Sequence, residues 1–471
     1  MTGNTTLTFY GGIDEIGGNK ILLKDKGTRI FLDFGKSFKA RSMFYDWIEK
    51  PRLANGVGDL LALGILPDIK GIYRQDLLSL AGRTQKEDRF VDAVLLSHAH
   101  SDHADYISFL REDIPIWLGR TAKDIVDSME AERSATMEFE ISGFRKRPLE
   151  RGSEIIGREI HAFSTGEKVA VDSIEIEPVH VDHSIPGCYG FIIRTSDSTL
   201  VYSGDLRMHG NKPELTSEFV ERARQSKPDL MLCEGTRINE TLSHRESDVL
   251  ETCNYYVAKA KGLFVFVDYS YKDVDRFSTL NKVAKLSGRK LLIDVKTARY
   301  LHALSGSNSL ALPKPSDESI AIYKPREKSG KYDDADYDGE DLEFYNQGNV
   351  LTAEDVRANQ GDMISALGSG YIDQLIDIRP SGGIYFHSMS EPFNEEGTIS
   401  EKKIDNWIER FGLNRVHSHC SGHASGRDLN EIINRIVPKL LIPIHTEHPE
   451  LFTMLQGGKV KMVEANSTFE L

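Results

Sequence analysis

The residues with the most chemistry in the chain are His98-Ala99-His100-Ser101-Asp102-His103, three imidazoles and a carboxylate within six positions. A chain of this composition would contain HxHxDH by chance roughly once in a thousand. Neutral imidazole and carboxylate suit zinc, which in catalytic sites keeps a coordination position open for water. The motif follows an apolar run at 92–97 that reads as a buried strand. A loop leaving that strand can turn His98 and His100 toward one ion, while Asp102 and His103, opening the next helix, face a second. Two ions need more donors than one loop supplies. Three further residues each follow or end an apolar run: His183 in His180-Val181-Asp182-His183-Ser184, Asp205 in Tyr202-Ser203-Gly204-Asp205, and His445 after Leu440–Ile444. His180 competes with His183 for the same role.

Several elements must position these donors. Short apolar runs at 6–10, 20–23 and 29–33, separated by glycine-rich turns, predict a strand meander that ends with Asp33 at its tip. The segment 36–90 interrupts this pattern, with helical stretches at 59–64 and 76–81. An insertion of this length is more often a lid or an interaction surface than a connector. Strand and helix then alternate: strand 92–97, helix 102–111, strand 114–118, helix 121–129. Strands follow at 173–181, 189–195 and 199–203. Two β-rich blocks with helices outside them predict αββα layers.

From about 240 the rhythm becomes βαβ: helix 243–261, strand 263–268, helix 273–286, strand 290–295, helix 297–304 and strand 320–323. That predicts a parallel, doubly wound sheet, and no glycine-rich fingerprint assigns it a nucleotide. The acidic run 331–343 reads as a solvated loop. Near 413 the β-rich pattern of the N-terminal half returns, with strand 414–419, helix 426–437, strand 440–445, helix 449–455 and strand 459–464. The division is therefore 1–236 (with the insertion 36–90), 237–412 and 413–471.

Composition narrows the function. The 471 residues are 39% hydrophobic and 28% charged, which is an ordinary globular balance. Four scattered cysteines with no CxxC pair exclude a disulfide scaffold and a thiolate zinc module, and fit a reducing, cytoplasmic setting. No apolar stretch approaches membrane-spanning length, and the N-terminus has no signal-peptide pattern, so no membrane partner is expected. The net charge of −14 argues against broad non-specific affinity for nucleic acid. A local phosphate path would have to come from cations such as Lys36, Lys39, Arg41, Lys50 and Arg52 in the insertion.

HxHxDH followed by His183, Asp205 and a late His445 resembles the metallo-β-lactamase fold. Glu234-Gly235-Thr236, His419-Cys420-Ser421-Gly422-His423-Ala424 and Pro443-Ile444-His445 resemble the three β-CASP motifs. The opening Gly11-Gly12-Ile13-Asp14-Glu15-Ile16-Gly17-Gly18-Asn19 is similar to the ribonuclease J branch. The resemblance implies an α/β fold, a metallo-β-lactamase αββα sandwich with an inserted doubly wound β-CASP cap domain. It implies that His98, His100 and His183 hold one ion, Asp102 and His103 a second, with His445 completing the set, Asp205 bridging and Asp33 in support.

The implied function is metal-dependent hydrolysis of RNA phosphodiester bonds by a hydroxide activated between two Zn2+ ions, with Mn2+ as the alternative metal. Asp102 and Asp205 would position that hydroxide, and His423 would act as general acid, oriented by Glu234. His419, Ser421 and Gly422, with His423, would hold the substrate phosphate. The implied partners are single-stranded RNA and a second copy in a homodimer. The rival reading is hydrolysis of a small ester, lactone or thioester, because such a centre also attacks carbonyl carbon.

Overall fold

The computed structural model describes residues 4–46, 48–132, 137–150, 152–242, 244–306, 310, 312–347, 349–390, 395–455 and 459–471. The chain divides into two compact units, one of residues 1–208, 212–242 and 422–471, the other of 209–211 and 243–421. Among the described residues no helix is long and apolar enough to cross a membrane.

The first unit contains two mixed sheets of seven strands. The first runs Thr468–Glu470, Thr5–Gly11, Lys20–Asp25, Thr28–Leu32, Ala93–Leu95, Ile116–Gly119, Ile160–Phe163 in spatial order. The second runs Lys459–Val460, Leu440–Ile444, Leu230–Glu234, Thr199–Tyr202, Tyr189–Arg194, Ile174–His180, Val169–Val171. Alternation explains how they pack. In Thr5–Gly11 every second side chain is buried, so Leu7 and Phe9 point one way. They share one core with Ile21, Leu32 and Leu95 of their own sheet and with Phe191, Tyr202, Leu232 and Ile442 of the other. The outer face of the second sheet buries Phe219 and Val220 from helix Pro213–Ser226 and Leu429, Ile432 and Ile433 from helix Gly426–Ile436. Helix Arg120–Glu132 lies against Ile116–Gly119 on the first sheet. The layers are therefore αββα.

The parallel strands of the second sheet bring their carboxyl ends to one edge. Tyr202 pairs with Leu232, and Glu234 pairs with Ile444. Asp205, Glu234 and His445 thus leave that sheet side by side, a consequence of register alone.

The second unit is built on a parallel sheet ordered Val350–Leu351, Ile320–Tyr323, Lys290–Ile293, Met363–Ala366, Phe264–Asp268, Gly383–His387, Leu413–His417. Phe264–Asp268 reads FVFVD and is buried throughout, as a strand covered on both faces must be. Val265 and Val267 join one apolar cluster and Phe264 and Phe266 another. Leu413–His417 pairs with Gly383–His387 and closes this sheet, so the boundary expected at 412 lies instead between Ser421 and Gly422. The acidic run contains a helix, Gly339–Gln347, where a loop is expected; Arg299 anchors it through Asp341. The helix expected from 243 is Glu246–Lys259, and Ser243 itself lies outside the described residues.

Arg276 fastens this unit internally. Its buried guanidinium donates to both carboxylate oxygens of Glu246 at 2.9 and 3.1 Å and to the Ser388 carbonyl at 3.0 Å. Removing the cation leaves Glu246 charged and buried, so Arg276→Met should destabilise the fold by about 3–5 kcal/mol. Urea denaturation followed by circular dichroism reads that loss.

The insertion 36–90 has its own small core, with Val57, Leu60, Ile65, Leu66, Ile72 and Leu77 buried. Arg74 pins it down. This fully buried side chain reaches Asp76 and Glu140 at 2.7 Å each and lies 3.6 Å over the Phe144 ring. Arg74 N–H also bonds the Phe109 carbonyl at 2.9 Å, and Arg158 takes the Leu110 carbonyl at 2.6 Å. Both carbonyls belong to the last turn of the helix expected at 102–111, where no N–H of that helix would reach them. The segment is instead one α-turn, Ser101–Ala104, and a 3-10 stretch, Asp105–Phe109. The strand expected at 459–464 is also shorter, ending at Val460.

Candidate metal centre

His98 and His100 leave the strand Ala93–Leu95 in an extended loop, and Asp102 and His103 occupy the turn Ser101–Ala104. They meet His183, Asp205 and His445 in one cluster, buried except for His100 and Asp102, which are half-buried. Its donors fall into two sets. In the first, His98 Nε2 lies 3.0 Å from His100 Nδ1, and His183 Nε2 lies 3.1 Å from the same Nδ1. Asp205 Oδ2 stands 3.6 Å from His98 Nε2 and 3.9 Å from His183 Nε2. In the second, Asp102 Oδ2 lies 3.2 Å from His445 Nε2 and 3.9 Å from His103 Nε2. Asp205 Oδ2 is 3.2 Å from His103 Nε2 and 3.6 Å from His445 Nε2. One oxygen of Asp205 therefore belongs to both sets.

These spacings fit metal. Nitrogen and oxygen ligands about 2.0–2.1 Å from a tetrahedral zinc stand about 3.3 Å from one another. Two buried atoms within the cluster, His103 Nε2 and Asp205 Oδ1, make no hydrogen bond, so protein partners alone leave them unsatisfied. The cluster is compatible with a metal site.

The local field points the same way. Burial keeps His98 and His183 well below the usual histidine range, hence neutral and able to ligate. Burial also pulls on His103, but Asp205, Asp33 and Asp102 outweigh it and hold that ring well above its ordinary value. The same contest, won by Asp205 and the hydrogen bond to Asp102, pushes His445 up to about 9. Burial would raise Asp205, yet His445, His103 and His423 hold it well below the carboxylate range. The carboxylates thus draw positive charge into the second set.

A supporting layer aims the rings. Asp33 Oδ2 accepts from His103 Nδ1 at 2.7 Å, from Ser97 Oγ at 2.8 Å and from Tyr202 OH at 2.5 Å, while Oδ1 accepts from Ser97 N–H at 2.7 Å. Placing the proton on Nδ1 leaves Nε2 of His103 for the centre. His183 Nδ1 donates to the Gly422 carbonyl at 2.6 Å, and His445 Nδ1 meets Thr236 Oγ1 at 2.8 Å. The glycine-rich opening braces the loops themselves. A Cβ on Gly35 would sit 1.6 Å from the Asp102 carbonyl oxygen, and one on Gly17 2.6 Å from Asp102 Cβ. The Gly12 carbonyl holds His445 N–H at 2.7 Å, stabilising a left-handed backbone with φ of 52°. Ser97, Tyr202, Thr236 and Gly35 escape a reading by ligand type, because serine, tyrosine, threonine and glycine are common everywhere. The signal available for Gly35 is its place directly after Asp33-Phe34. Asp33→Asn should weaken metal affinity by about 10–100-fold, read by competition with a chromogenic chelator.

The other predicted site residues separate. Glu234, fully buried, places Oε1 3.3 Å from His423 Nδ1, and its Oε2 accepts from Thr236 N–H at 2.9 Å. His423 Nδ1 is also 3.9 Å from Asp205 Oδ2. Ser425 ends this loop by capping helix Gly426–Ile436, its hydroxyl accepting from Asp428 N–H at 3.3 Å. Gly422 packs so closely on His183 and Ser184 that a Cβ would approach them to 2.9 and 2.6 Å. His419 and Ser421 belong to the second unit, where His419 Nδ1 meets the Ser388 carbonyl at 3.1 Å and His209 Nε2 meets the Ser421 carbonyl at 3.0 Å. His180 stacks on Tyr189 at 4.9 Å, outside the cluster. Lys36 and Arg41 pair with Glu138 at 2.7 and 2.5 Å, which removes them from the candidate phosphate path.

Comparison with known proteins agrees with this geometry. Residues 66–263 match a beta-lactamase superfamily domain, and residues 414–454 a Zn-dependent metallo-hydrolase RNA specificity domain. Ribonuclease J of Mycolicibacterium smegmatis is 26% identical over 94% of the chain, that of Pyrococcus abyssi 23% over 93%, and that of Sinorhizobium meliloti 23% over 83%. The chain spans 69%, 88% and 64% of those three proteins. A crystal structure of a protein of unknown function from Enterococcus faecalis V583 superposes with a TM-score of 0.76 and 24% identity, over 99% of this chain and 100% of that one. The chain has the metallo-β-lactamase fold with a β-CASP insertion, and it resembles ribonuclease J over most of its length.

Proposed function

We propose that the protein is a ribonuclease J-like hydrolase that cleaves phosphodiester bonds of single-stranded RNA at a dinuclear zinc centre. The observation that carries this reading is the single oxygen of Asp205 shared between two sets of donors. His98, His100 and His183 would hold one ion and Asp102, His103 and His445 the other, with Asp205 common to both. Bound there, the pair supplies Lewis acidity and acidifies water. Histidine-rich donors favour zinc, with manganese the alternative.

The chain's own residues do the rest. Asp102 and Asp205 fix where charge is balanced between the two positions. Glu234 faces Nδ1 of His423, so Nε2 is the atom we assign to protonating the leaving oxygen. His419, Ser421 and Gly422 are assigned to the substrate phosphate. The four cysteines are buried and form no disulfide with one another, which suits a reducing compartment such as the cytoplasm. The match to an RNA specificity domain supports RNA over a small ester. The test is incubation with 5′- or 3′-labelled RNA bearing mono- or triphosphate ends, with and without chelator. Absence of metal-dependent cleavage across that set, with turnover of a lactone or thioester, would defeat the reading.

A further inference from the structure

The metal centre leaves unexplained an exposed apolar stretch next to it. Phe38 is 49% exposed, Met43 70%, Phe44 45%, Ile48 63% and Leu53 56%. These are five of the eighteen exposed large hydrophobics among the described residues, concentrated in a segment of sixteen positions, 38–53. Clustering of this kind marks an interaction surface, where scattered single residues would need no explanation. The stretch is also cationic in an acidic chain. It holds Lys39, Arg41, Lys50 and Arg52 against Asp46 and Glu49, while the whole chain carries −14. Arg41 is taken by Glu138, and Arg52 is bound to Asp59 at 2.5 Å. Lys39 gives its ammonium to the Asp14 carbonyl at 2.7 Å, a neutral partner, and Lys50 is exposed, so two lysines stand outside ion pairs.

The stretch is rooted in the wall of the centre. Lys36 N–H bonds the Ser101 carbonyl at 3.0 Å, within the HxHxDH loop. Ser37 Oγ donates to Glu15 Oε2 at 2.5 Å, and Glu15 Oε1 accepts from Gly12 N–H at 3.1 Å, the residue that holds His445. Exposed aromatics beside lysines outside ion pairs are how proteins hold a single strand without reading its sequence: bases stack on the rings and phosphates lie along the cations.

We infer that Phe38 and Phe44, flanked by Lys39 and Lys50, form a stacking platform for nucleotides of a single-stranded RNA whose cleaved bond lies at the metal centre. The inference rests on the ribonuclease reading. It makes the insertion a determinant of substrate length: a strand long enough to reach the platform gains affinity, and a shorter one does not.

The experiment compares wild type with Phe38→Ser/Phe44→Ser and, separately, Lys39→Gln/Lys50→Gln. Substrates are a long single-stranded oligoribonucleotide, a dinucleotide, and bis(p-nitrophenyl) phosphate, and each variant is checked by thermal melting and light scattering. The aromatic pair should lower kcat/KM on the long strand by about 10–100-fold, mostly through KM, and leave the two small substrates unchanged. The lysine pair should reduce the salt slope of binding by about 1.4, the share of two phosphate contacts on a single strand. Undiminished cleavage of the long strand by the aromatic variant overturns the inference, as does an equal loss on all three substrates. A wild-type dimer that the aromatic variant converts to monomer with unchanged RNA cleavage also overturns it, assigning the patch to a second copy. Failure of the ribonuclease reading looks different: wild type itself would leave RNA of both lengths intact.

Discussion

Asp205→Asn is expected to empty the centre of both ions and abolish hydrolysis. The argument is geometric. Oδ2 of Asp205 lies within 3.9 Å of His98 and His183 on one side and within 3.6 Å of His103 and His445 on the other. No other carboxylate oxygen is shared in this way among the described residues. The amide keeps the shape of the side chain but removes the negative charge that sets the field for both positions. Wild type should carry about two ions per chain, as two-metal hydrolysis requires, and the variant fewer than one. The loss of activity should exceed the about 10–100-fold that a supporting residue such as Asp33 commands. Elemental analysis and chelator-dependent thermal shifts on the same preparations check this, because a ligand bound only to the folded state raises Tm. A variant that retains two ions and full activity would remove Asp205 from the centre.

The amino-acid sequence carries the centre further than the scaffold that aims it. His98 and His445 are 347 positions apart, yet both announce themselves by donor type at the end of an apolar run. Asp205 and His445 leave the second sheet at one edge and His98 leaves a strand of the first, so residue type and local pattern suffice. Ser97, Tyr202 and Thr236 work through hydrogen bonds that any hydroxyl could make, and nothing local marks them. Element boundaries fail where tertiary contacts override pattern. The helix expected at 102–111 is one α-turn followed by a 3-10 stretch. Leu413–His417 reads as a strand under either assignment; only its register beside Gly383–His387 decides which sheet it joins. Exposed aromatics such as Phe38 and Phe44 look from the sequence like core material of the insertion. Their exposure becomes visible only once Arg74 and the buried leucines are seen to fill that core without them.

His423→Ala is expected to keep the metals and lose RNA cleavage, which separates protonation of the leaving group from metal ligation. Seven donors supply the two sets, and His423 also comes within ligand spacing of Asp205 and His445. His423 stands at their edge, its side chain 20% exposed, with Nδ1 3.3 Å from the buried Glu234 and 3.9 Å from Asp205. Two roles compete for such a ring. If it ligates, its removal lowers metal content and every substrate suffers together. If it protonates the leaving oxygen, metal content stays, and the loss scales with how poor the leaving group is. An RNA 3′-oxygen leaves badly, so general acid help is worth about 10²–10⁴-fold there, and much less for a nitrophenolate. We therefore expect His423→Ala to lower kcat on RNA by at least about 10²-fold, with two ions retained and bis(p-nitrophenyl) phosphate turnover little changed. Glu234→Gln, which keeps the hydrogen bond to Thr236 N–H but not the charge facing Nδ1, should shift the RNA profile in the same direction by a smaller factor. Parallel loss of metal and of both activities in His423→Ala would make the ring a ligand. Unchanged RNA cleavage would deny it any part in the reaction.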